Sequence, residues 1–181
     1  MYGIVNRAIQ DLIQSTHGAA TWRRVCERTG TKHCPFLSMQ SYPDEETVKL
    51  IVAATHELGT TTTEFLEDLG RHWVGYATRQ GYRDFLQSRG DSLFGFIARL
   101  DDLHTRLSLA FPALRPPSFR VDAIDERSIR VHYSSERTGL SSFVVGLFYG
   151  LADLFEQALL VKHVRRRDDG ADHDEFVLTV V

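Results

Sequence analysis

The sequence lacks the features of several protein classes, beginning with an excess of basic charge. It has 21 Lys and Arg residues against 24 Asp and Glu residues, which gives a net charge of −3. Proteins that bind nucleic acid through its phosphates need a basic field. The composition therefore gives no support to nucleic-acid binding.

Long apolar runs are also missing. No stretch approaches the roughly 18 apolar residues that a membrane span requires. Asn6, Arg7, Gln10 and Asp11 interrupt the apolar N-terminal segment, whereas a secretory signal peptide needs an unbroken apolar run. We therefore expect a cytoplasmic protein with no membrane partner.

Cysteine is scarce, since the chain contains only Cys26 and Cys34. Two cysteines do not make a disulfide framework in a chain of this length. His33 precedes Cys34, but no paired-cysteine or four-ligand spacing typical of zinc sites is present. We interpret both cysteines as small core or surface residues, with a reactive thiol as the alternative.

What is present suits one folded unit. At 181 residues the chain fits a single domain, 1–181, with room for a core and a ligand cavity. Apolar residues recur at helical spacing over 4–13, stop before Gly18, and a second short helix is predicted over 21–28. Asp44 is expected to cap a further helix, which Gly59 ends.

Two more amphipathic helices complete the N-terminal part. One carries the apolar residues from Phe65 to Trp73. A longer one is predicted to open at Gly90 and Asp91 and to end at Pro112. Its apolar stripe consists of Leu93, Ile97, Leu100, His104, Leu107 and Phe111.

After residue 117 the hydrophobic period changes from helical to alternating. Strands are predicted over 119–124 and 128–135, a helix over 141–159, and two more strands over 160–164 and 175–181. The predicted fold is therefore α+β, with an N-terminal helical part followed by a C-terminal antiparallel sheet and its helix.

His104 is the first candidate for chemistry, because it lies on the apolar stripe of the predicted long helix. An imidazole that faces a core needs a partner for its ring nitrogens, since burying them unpaired is costly. A metal ion is one such partner. A hydrogen-bonded core histidine is the alternative.

Tyr133, Ser135 and Arg137 form the second candidate group. Alternate residues of a strand share a face, so a phenol, a hydroxyl and a guanidinium converge at the end of an apolar strand face. Such donors suit an anionic tail on an apolar body, because arginine binds a carboxylate through two parallel hydrogen bonds. Three unrelated polar residues at a strand end are the alternative.

The spacing Tyr133-x-Ser135-x-Arg137 resembles the YxSxR signature of the heme–nitric oxide/oxygen-binding (H-NOX) family, which includes the sensor domain of soluble guanylate cyclase. Other landmarks of that family occur in the same order along nearly the whole chain. They are Met1-Tyr2-Gly3-Ile4-Val5-Asn6, Asp102-Leu103-His104, Arg115-Pro116-Pro117, Gly146-Leu147-x-x-Gly150 and Gly170-Ala171-Asp172-His173-Asp174.

The resemblance implies a heme b cofactor with His104 as the proximal iron ligand and with Tyr133, Ser135 and Arg137 around the heme propionates. It also implies that Pro117 presses on the porphyrin, and that Ile4 and Leu147 pack against the heme faces. Gly146 and Gly150, four residues apart, would let the backbone approach a flat ligand. A helix–helix contact is the alternative for these two glycines.

The resemblance also bears on the gas that is bound. Some members hold O₂ through a distal tyrosine, and the matching position here is close to Phe143, which cannot donate a hydrogen bond. Ser141 or Ser142 would be the donor if the alignment were shifted. The sequence therefore predicts binding of NO and CO in preference to O₂. Trp73 is the exception to test, because its indole N–H is a donor; a core tryptophan is the alternative.

The output is expected to be signal transduction to a separate protein, because no kinase or cyclase sequence follows the sensor. Family precedent suggests a histidine kinase or a cyclic-di-nucleotide enzyme as partner. NO binding is expected to weaken the iron–His104 bond, so that the helix bearing His104 shifts relative to the sheet.

Two other classes of function are alternatives to a gas sensor. A peroxidase would need a distal His–Arg pair, and Arg71 with His72 is the nearest candidate, but neighbours in a helix point about 100° apart. A heme-free ligand-binding or scaffold module would be expected to lose His104 or the Tyr133-x-Ser135-x-Arg137 motif, and both are kept. The C-terminal hairpin, where some relatives bind zinc through cysteines, offers only His163 and His173, so zinc is not predicted there.

Overall fold

The computed structural model describes residues 1–82 and 92–181. The predicted helix start at Gly90 and Asp91 lies outside the described residues. Within those two ranges no helix is both long and apolar enough to cross a membrane.

Three helices form the first part of the fold: α1 (Gly3–Thr29), α2 (Asp44–Leu58) and α3 (Thr62–Ala77), with a π-helical turn after α3 at Thr78–Tyr82. Helix α1 is kinked at Gly18, whose φ of 81° is non-helical, where the sequence predicted an interruption. The apolar sides of these helices share one core.

The predicted long helix is wrong as a single element. It is divided into α4 (Leu93–Ile97) and α5 (Leu100–Ala110). The Arg99 N–H bonds to the carbonyl of Phe96, three residues back, and the backbone of Arg99 leaves helical geometry at φ −107° and ψ 11°. His104 therefore lies on a short helix of its own, α5.

The second part of the fold is a four-stranded antiparallel sheet with one helix, which confirms the predicted β-β-α-β-β order. The strands run in the spatial order β1-β2-β4-β3. Its elements are β1 (Ser118–Ala123), β2 (Ser128–Ser134), α6 (Ser141–Leu154), β3 (Leu159–Arg165), a 3₁₀ turn (Arg167–Asp169) and β4 (Asp174–Val180).

The two faces of the sheet differ in chemistry. On one face Phe176 and Leu178 are fully buried, and the ring of Phe148 on α6 meets Phe176 edge-on at 5.5 Å. On the other face His132 of β2 lies opposite Glu175 of β4 in the strand register. One side of the sheet therefore completes a core, and the other carries polar groups.

Helices α3 and α6 approach each other backbone to backbone through glycine. A Cβ atom at Gly146 would overlap the carbonyl oxygen of Glu67, and one at Gly150 would lie 2.6 Å from the carbonyl oxygen of Arg71. These glycines serve a helix–helix contact, which is the alternative given for them in the sequence analysis.

The interpretation of the cysteines as separate thiols is also wrong, because Cys26 and Cys34 are joined by a disulfide bond. Cys26 lies in the last turns of α1, and the chain reverses at Gly30, which has a left-handed φ of 61°. That reversal returns Cys34 to the helix end, which the spacing alone did not reveal.

The glycine contact predicts a large stability difference between two alanine substitutions. Gly146→Ala should lower the free energy of unfolding by about 1–3 kcal/mol, because the added methyl group overpacks the contact. Gly75→Ala, in α3, should be neutral or stabilising, since its Cβ would meet only Arg79 Nη1 at 3.5 Å and alanine favours helix. Urea unfolding measures both variants, and equal effects would contradict the close contact.

Candidate functional site

A cavity of about 300 Å³ lies between the helical part and the sheet. Its walls come from all six α-helices, from the two strands of the β1–β2 hairpin and from the segments on either side of that hairpin. Most of the lining is apolar, including Leu66, Leu69, Phe96, Leu100, Leu107 and Leu151. Apolar clefts with a few polar groups are typical of small-molecule and cofactor sites.

The structure brings nine of the predicted site residues to this cavity, although they come from separate segments of the chain. The lining includes Ile4, Trp73, His104, Pro117, Tyr133, Ser135, Arg137, Phe143 and Leu147.

His104 presents one ring nitrogen to the cavity in a defined chemical form. Its Nδ1 lies 3.1 Å from the carbonyl oxygen of Pro117. A carbonyl only accepts, so Nδ1 carries the hydrogen and Nε2 keeps a lone pair. Among the described residues no hydrogen bond is made to Nε2. Burial lowers the pKa of His104, although the Pro117 hydrogen bond and the charge of Asp101 act to raise it. The lowered pKa favours the neutral ring.

Asp101 fastens the same helix to the sheet, a role that the sequence analysis missed. Its Oδ1 accepts the backbone N–H of Phe119 at 2.7 Å, and its Oδ2 accepts the hydroxyl of Ser118 at 2.8 Å. His104 also bonds to Pro117, so three consecutive residues at the start of β1, Pro117 to Phe119, are hydrogen-bonded to α5. In the sequence, the one indication of this role was an acidic residue one helical turn before His104.

The polar end of the cavity consists of Tyr133, Ser135 and Arg137. Tyr133 is only 4% exposed, and burial raises the pKa of its hydroxyl, which therefore stays protonated and able to donate. The Ser135 hydroxyl accepts the backbone N–H of Arg137 at 3.1 Å. Two hydroxyls and a guanidinium thus converge where an anionic group of a ligand would need them.

Arg137 already has a carboxylate partner, Asp44, that the sequence analysis did not assign to the site. Its Nε donates to Asp44 Oδ2 at 2.7 Å and its Nη2 to Asp44 Oδ1 at 3.3 Å, while Nη1 donates to the carbonyl of Arg115 at 2.8 Å. The prediction that Asp44 caps α2 is wrong, because Asp44 is the first helical residue and its side chain makes no cap.

Asp44 is strongly held in its ionised form. Burial acts to raise its pKa, but hydrogen bonds from Arg137 and from the ammonium group of Met1, 2.5 Å away, outweigh burial and lower the pKa. Asp44 thus neutralises part of the positive charge at the polar end, and it competes with any ligand carboxylate for Arg137.

The remaining predicted positions divide into those at the cavity and those away from it. Phe143 and Trp73 line it, whereas Ser141 and Ser142 are not among the described lining residues. The Ser141 hydroxyl donates to Asp174 instead, at 3.3 Å. The alternative donors next to Phe143 therefore do not reach the described cavity wall.

The pair considered for a peroxidase does not face one site. Arg71 is bound to Asp153 at 2.6 Å on the surface, and His72 lies 2.8 Å from Asp11. Neither residue is among the described residues that line the cavity. Their separate partners agree with the expectation that helix neighbours point in different directions.

The arrangement fits an apolar ligand with a central metal and anionic groups at one edge. A neutral imidazole nitrogen is available to a metal, apolar walls suit a ring system, and donors converge at the polar end. These three properties of the site suit a bound heme.

Comparison with known proteins agrees with this chemistry. A family model described as "Haem-NO-binding" matches residues 2–163. Soluble guanylate cyclase 89Db of Drosophila melanogaster is 29% identical over 158 residues, which cover 83% of this chain and 24% of that protein. The chain thus spans about a quarter of the length of this curated relative.

Two solved structures show the same fold. An H-NOX protein from S. oneidensis in the Fe(II)NO ligation state superposes with a TM-score of 0.91 at 20% identity, covering 100% of this chain and 99% of that one. An oxygen-binding H-NOX domain related to soluble guanylate cyclases superposes with a TM-score of 0.82 at 17% identity, covering 99% and 95%.

The link between α5 and β1 predicts different effects for two neighbouring aspartates. Asp101→Ala should lower the free energy of unfolding by about 1–3 kcal/mol, because it leaves the partly buried Phe119 N–H without its acceptor. Asp102→Ala is the control, since Asp102 is exposed and makes no side-chain hydrogen bond among the described residues. Urea unfolding of both variants tests the link; equal stabilities would show that Asp101 does not fasten the helix.

Proposed function

The chain belongs to the Haem-NO-binding (H-NOX) family, whose members bind heme, and from that premise we propose that it is a sensor of NO and CO with His104 as the ligand of a ferrous heme b iron. The observation that carries the proposal is that His104 lines an apolar cavity with Nδ1 fixed by the Pro117 carbonyl, while Nε2 makes no hydrogen bond to the described residues. A histidine ligand with its second nitrogen donating to a carbonyl is the usual arrangement at protein metal sites.

When bound, ferrous heme would supply an iron centre that can bind a diatomic gas. The residues that would hold the heme are His104 at the iron and Tyr133, Ser135 and Arg137 at the propionates. Ile4, Leu147 and Pro117 would pack against its faces. Arg137 keeps Asp44 as its partner or exchanges it for a propionate, since both are carboxylates.

The choice of gas depends on which donors the chain presents to the cavity. Phe143 presents none, so a polarised ligand such as O₂ gains no stabilising hydrogen bond there. NO and CO depend less on such a bond. Phe143 therefore favours a sensor that responds to NO and CO.

A second candidate function, an oxygen-binding sensor, is favoured by Trp73. Its indole lines the same cavity, and its N–H makes no hydrogen bond to the described residues. An indole N–H is a donor only, so it would serve a polar ligand. The two candidates differ in whether the Trp73 N–H reaches the bound gas.

Helix α5 is the element through which the site would signal. His104 is joined to Pro117 and Asp101 to Phe119, so a displacement of His104 would be passed directly to β1 and the sheet. A partner protein that contacts the surface would respond to the change. We propose a separate signalling protein, such as a histidine kinase or a cyclic-di-nucleotide enzyme, and no catalysis by this domain.

Replacing the proposed iron ligand tests the heme site directly. Reduced wild-type protein should show a Soret band that shifts with NO and with CO. His104→Gly should lose stable heme binding, and free imidazole should restore it by filling the space of the missing ring. His56→Ala is the matched control, because His56 lies exposed on α2 away from the cavity.

Two outcomes would overturn this assignment. If His104→Gly kept the wild-type reduced spectrum without imidazole, another residue would be the ligand. If the wild-type chain showed no Soret band after heme reconstitution, a heme-free module would be the better description.

The gas preference is tested by changing the donors at the cavity. Wild-type protein in air should show no stable O₂-bound spectrum, and Phe143→Tyr should slow the loss of O₂ at least tenfold by adding a donor. Trp73→Phe should leave NO and CO binding unchanged. If the wild type retained O₂ in air and Trp73→Phe abolished this, the oxygen-sensor candidate would replace the first one.

A further inference from the structure

We propose that the polar face of the sheet carries a second metal site, formed by His132, His173 and Glu175, which binds a divalent transition metal of the Zn²⁺ type. This group, called here the outer cluster, is separate from the cavity. His132 adjoins Tyr133 on β2, and because neighbouring strand residues point to opposite faces, it is directed away from the cavity that Tyr133 lines.

The distances within the outer cluster match those of a metal site. His132 Nδ1 lies 2.9 Å from His173 Nε2, and Glu175 Oε1 lies 3.4 Å from His173 Nε2 and 3.8 Å from His132 Nδ1. Ligand atoms bound to one tetrahedral zinc at 2.0–2.1 Å lie about 3.3 Å apart. Shifts of about half an ångström would therefore place all three around one ion.

Both imidazoles are oriented by carboxylates on their outer nitrogens. His132 Nε2 lies 3.0 Å from Asp122 Oδ2, and His173 Nδ1 lies 2.8 Å from Asp172 Oδ1. A carboxylate accepts, so the outer nitrogens carry the hydrogens in neutral rings and the inner nitrogens carry lone pairs. Carboxylate–histidine pairs of this kind hold metal ligands in position.

This orientation creates a need for a cation. With the outer nitrogens donating, two lone pairs face each other across 2.9 Å, next to a carboxylate oxygen. Three acceptors at such distances repel one another unless a proton or a metal ion lies between them. The outer cluster is thus an arrangement that a positive ion stabilises.

The ligand types favour nitrogen-preferring metals over Ca²⁺ and Mg²⁺. Arg130 and Arg165 each donate to Glu175 at 3.1 Å, and the Arg165 hydrogen bond is the main cause of a lowered pKa at Glu175, which stays ionised. Hard cations need several oxygen ligands, whereas this cluster offers two imidazole nitrogens and a single carboxylate, whose oxygens also accept from the two arginines. Two imidazoles and one carboxylate are a typical zinc ligand set.

The site is also accessible. The side chains of His132, His173 and Glu175 are 12%, 18% and 10% exposed, so a metal ion and one water ligand can reach them. His163, which the sequence analysis considered together with His173, is not part of the cluster. It lies 2.8 Å from Asp174 and stacks on Phe176 on the core side of the sheet.

Metal content of the heme-loaded chain tests the proposal. After equilibrium dialysis against Zn²⁺ with excess Mg²⁺ and Ca²⁺, mass spectrometry should find one zinc per chain in addition to iron. The double variant His132→Ala/His173→Ala should bind zinc at least tenfold more weakly. Glu175→Gln should weaken binding without removing either imidazole, and His56→Ala should match the wild type.

The result is independent of the gas site, because iron content and the Soret band report the heme separately. Circular dichroism checks that each variant is folded. Wild-type protein with no bound zinc, or a double variant that binds zinc as tightly as wild type, would overturn the proposal. If the chain bound no heme, the same dialysis of the heme-free chain would still decide the question.

Discussion

The hydrogen bond between the His104 imidazole and the Pro117 carbonyl is the contact on which the cavity chemistry depends. It determines which ring nitrogen carries hydrogen, leaves the other nitrogen with its lone pair in a residue that lines the cavity, and joins α5 to the start of β1. Asp101 strengthens the same junction through two acceptor oxygens. The element that offers the metal ligand is therefore also the element attached to the sheet, so binding and transmission share one set of contacts.

The sequence predicted the fold from local periodicity, and it predicted most of the cavity lining through the resemblance to the H-NOX family. His104 was identified from its place on an apolar helical stripe, and Tyr133, Ser135 and Arg137 from strand alternation and the motif they share. The helix break at Arg99 was missed, since the apolar stripe continues across it. A glycine at a close contact looks the same in sequence whether a helix or a ligand approaches it. The partner of Gly146 could therefore be identified only from the structure.

The sequence could not predict the roles of residues whose partners lie far away along the chain. Asp44 and Arg137 are 93 positions apart, and an aspartate at the start of a helix is more simply interpreted as a cap. The outer cluster depends on strand register, which sets His132 opposite Glu175 and near His173 in the loop before β4. Neither the Asp44–Arg137 pair nor the outer cluster has a local sequence pattern, because both form only when distant strands and helices assemble.

The disulfide between Cys26 and Cys34 gives the protein a stability that depends on its redox surroundings. By closing a loop of about nine residues it removes conformational entropy from the unfolded chain, worth about 2–3 kcal/mol on the chain-entropy model. Disulfides are uncommon where glutathione keeps thiols reduced. In such a compartment the folded chain would lose that contribution, and the packing of α1 against the other helices would have to maintain the N-terminal wall of the cavity unaided.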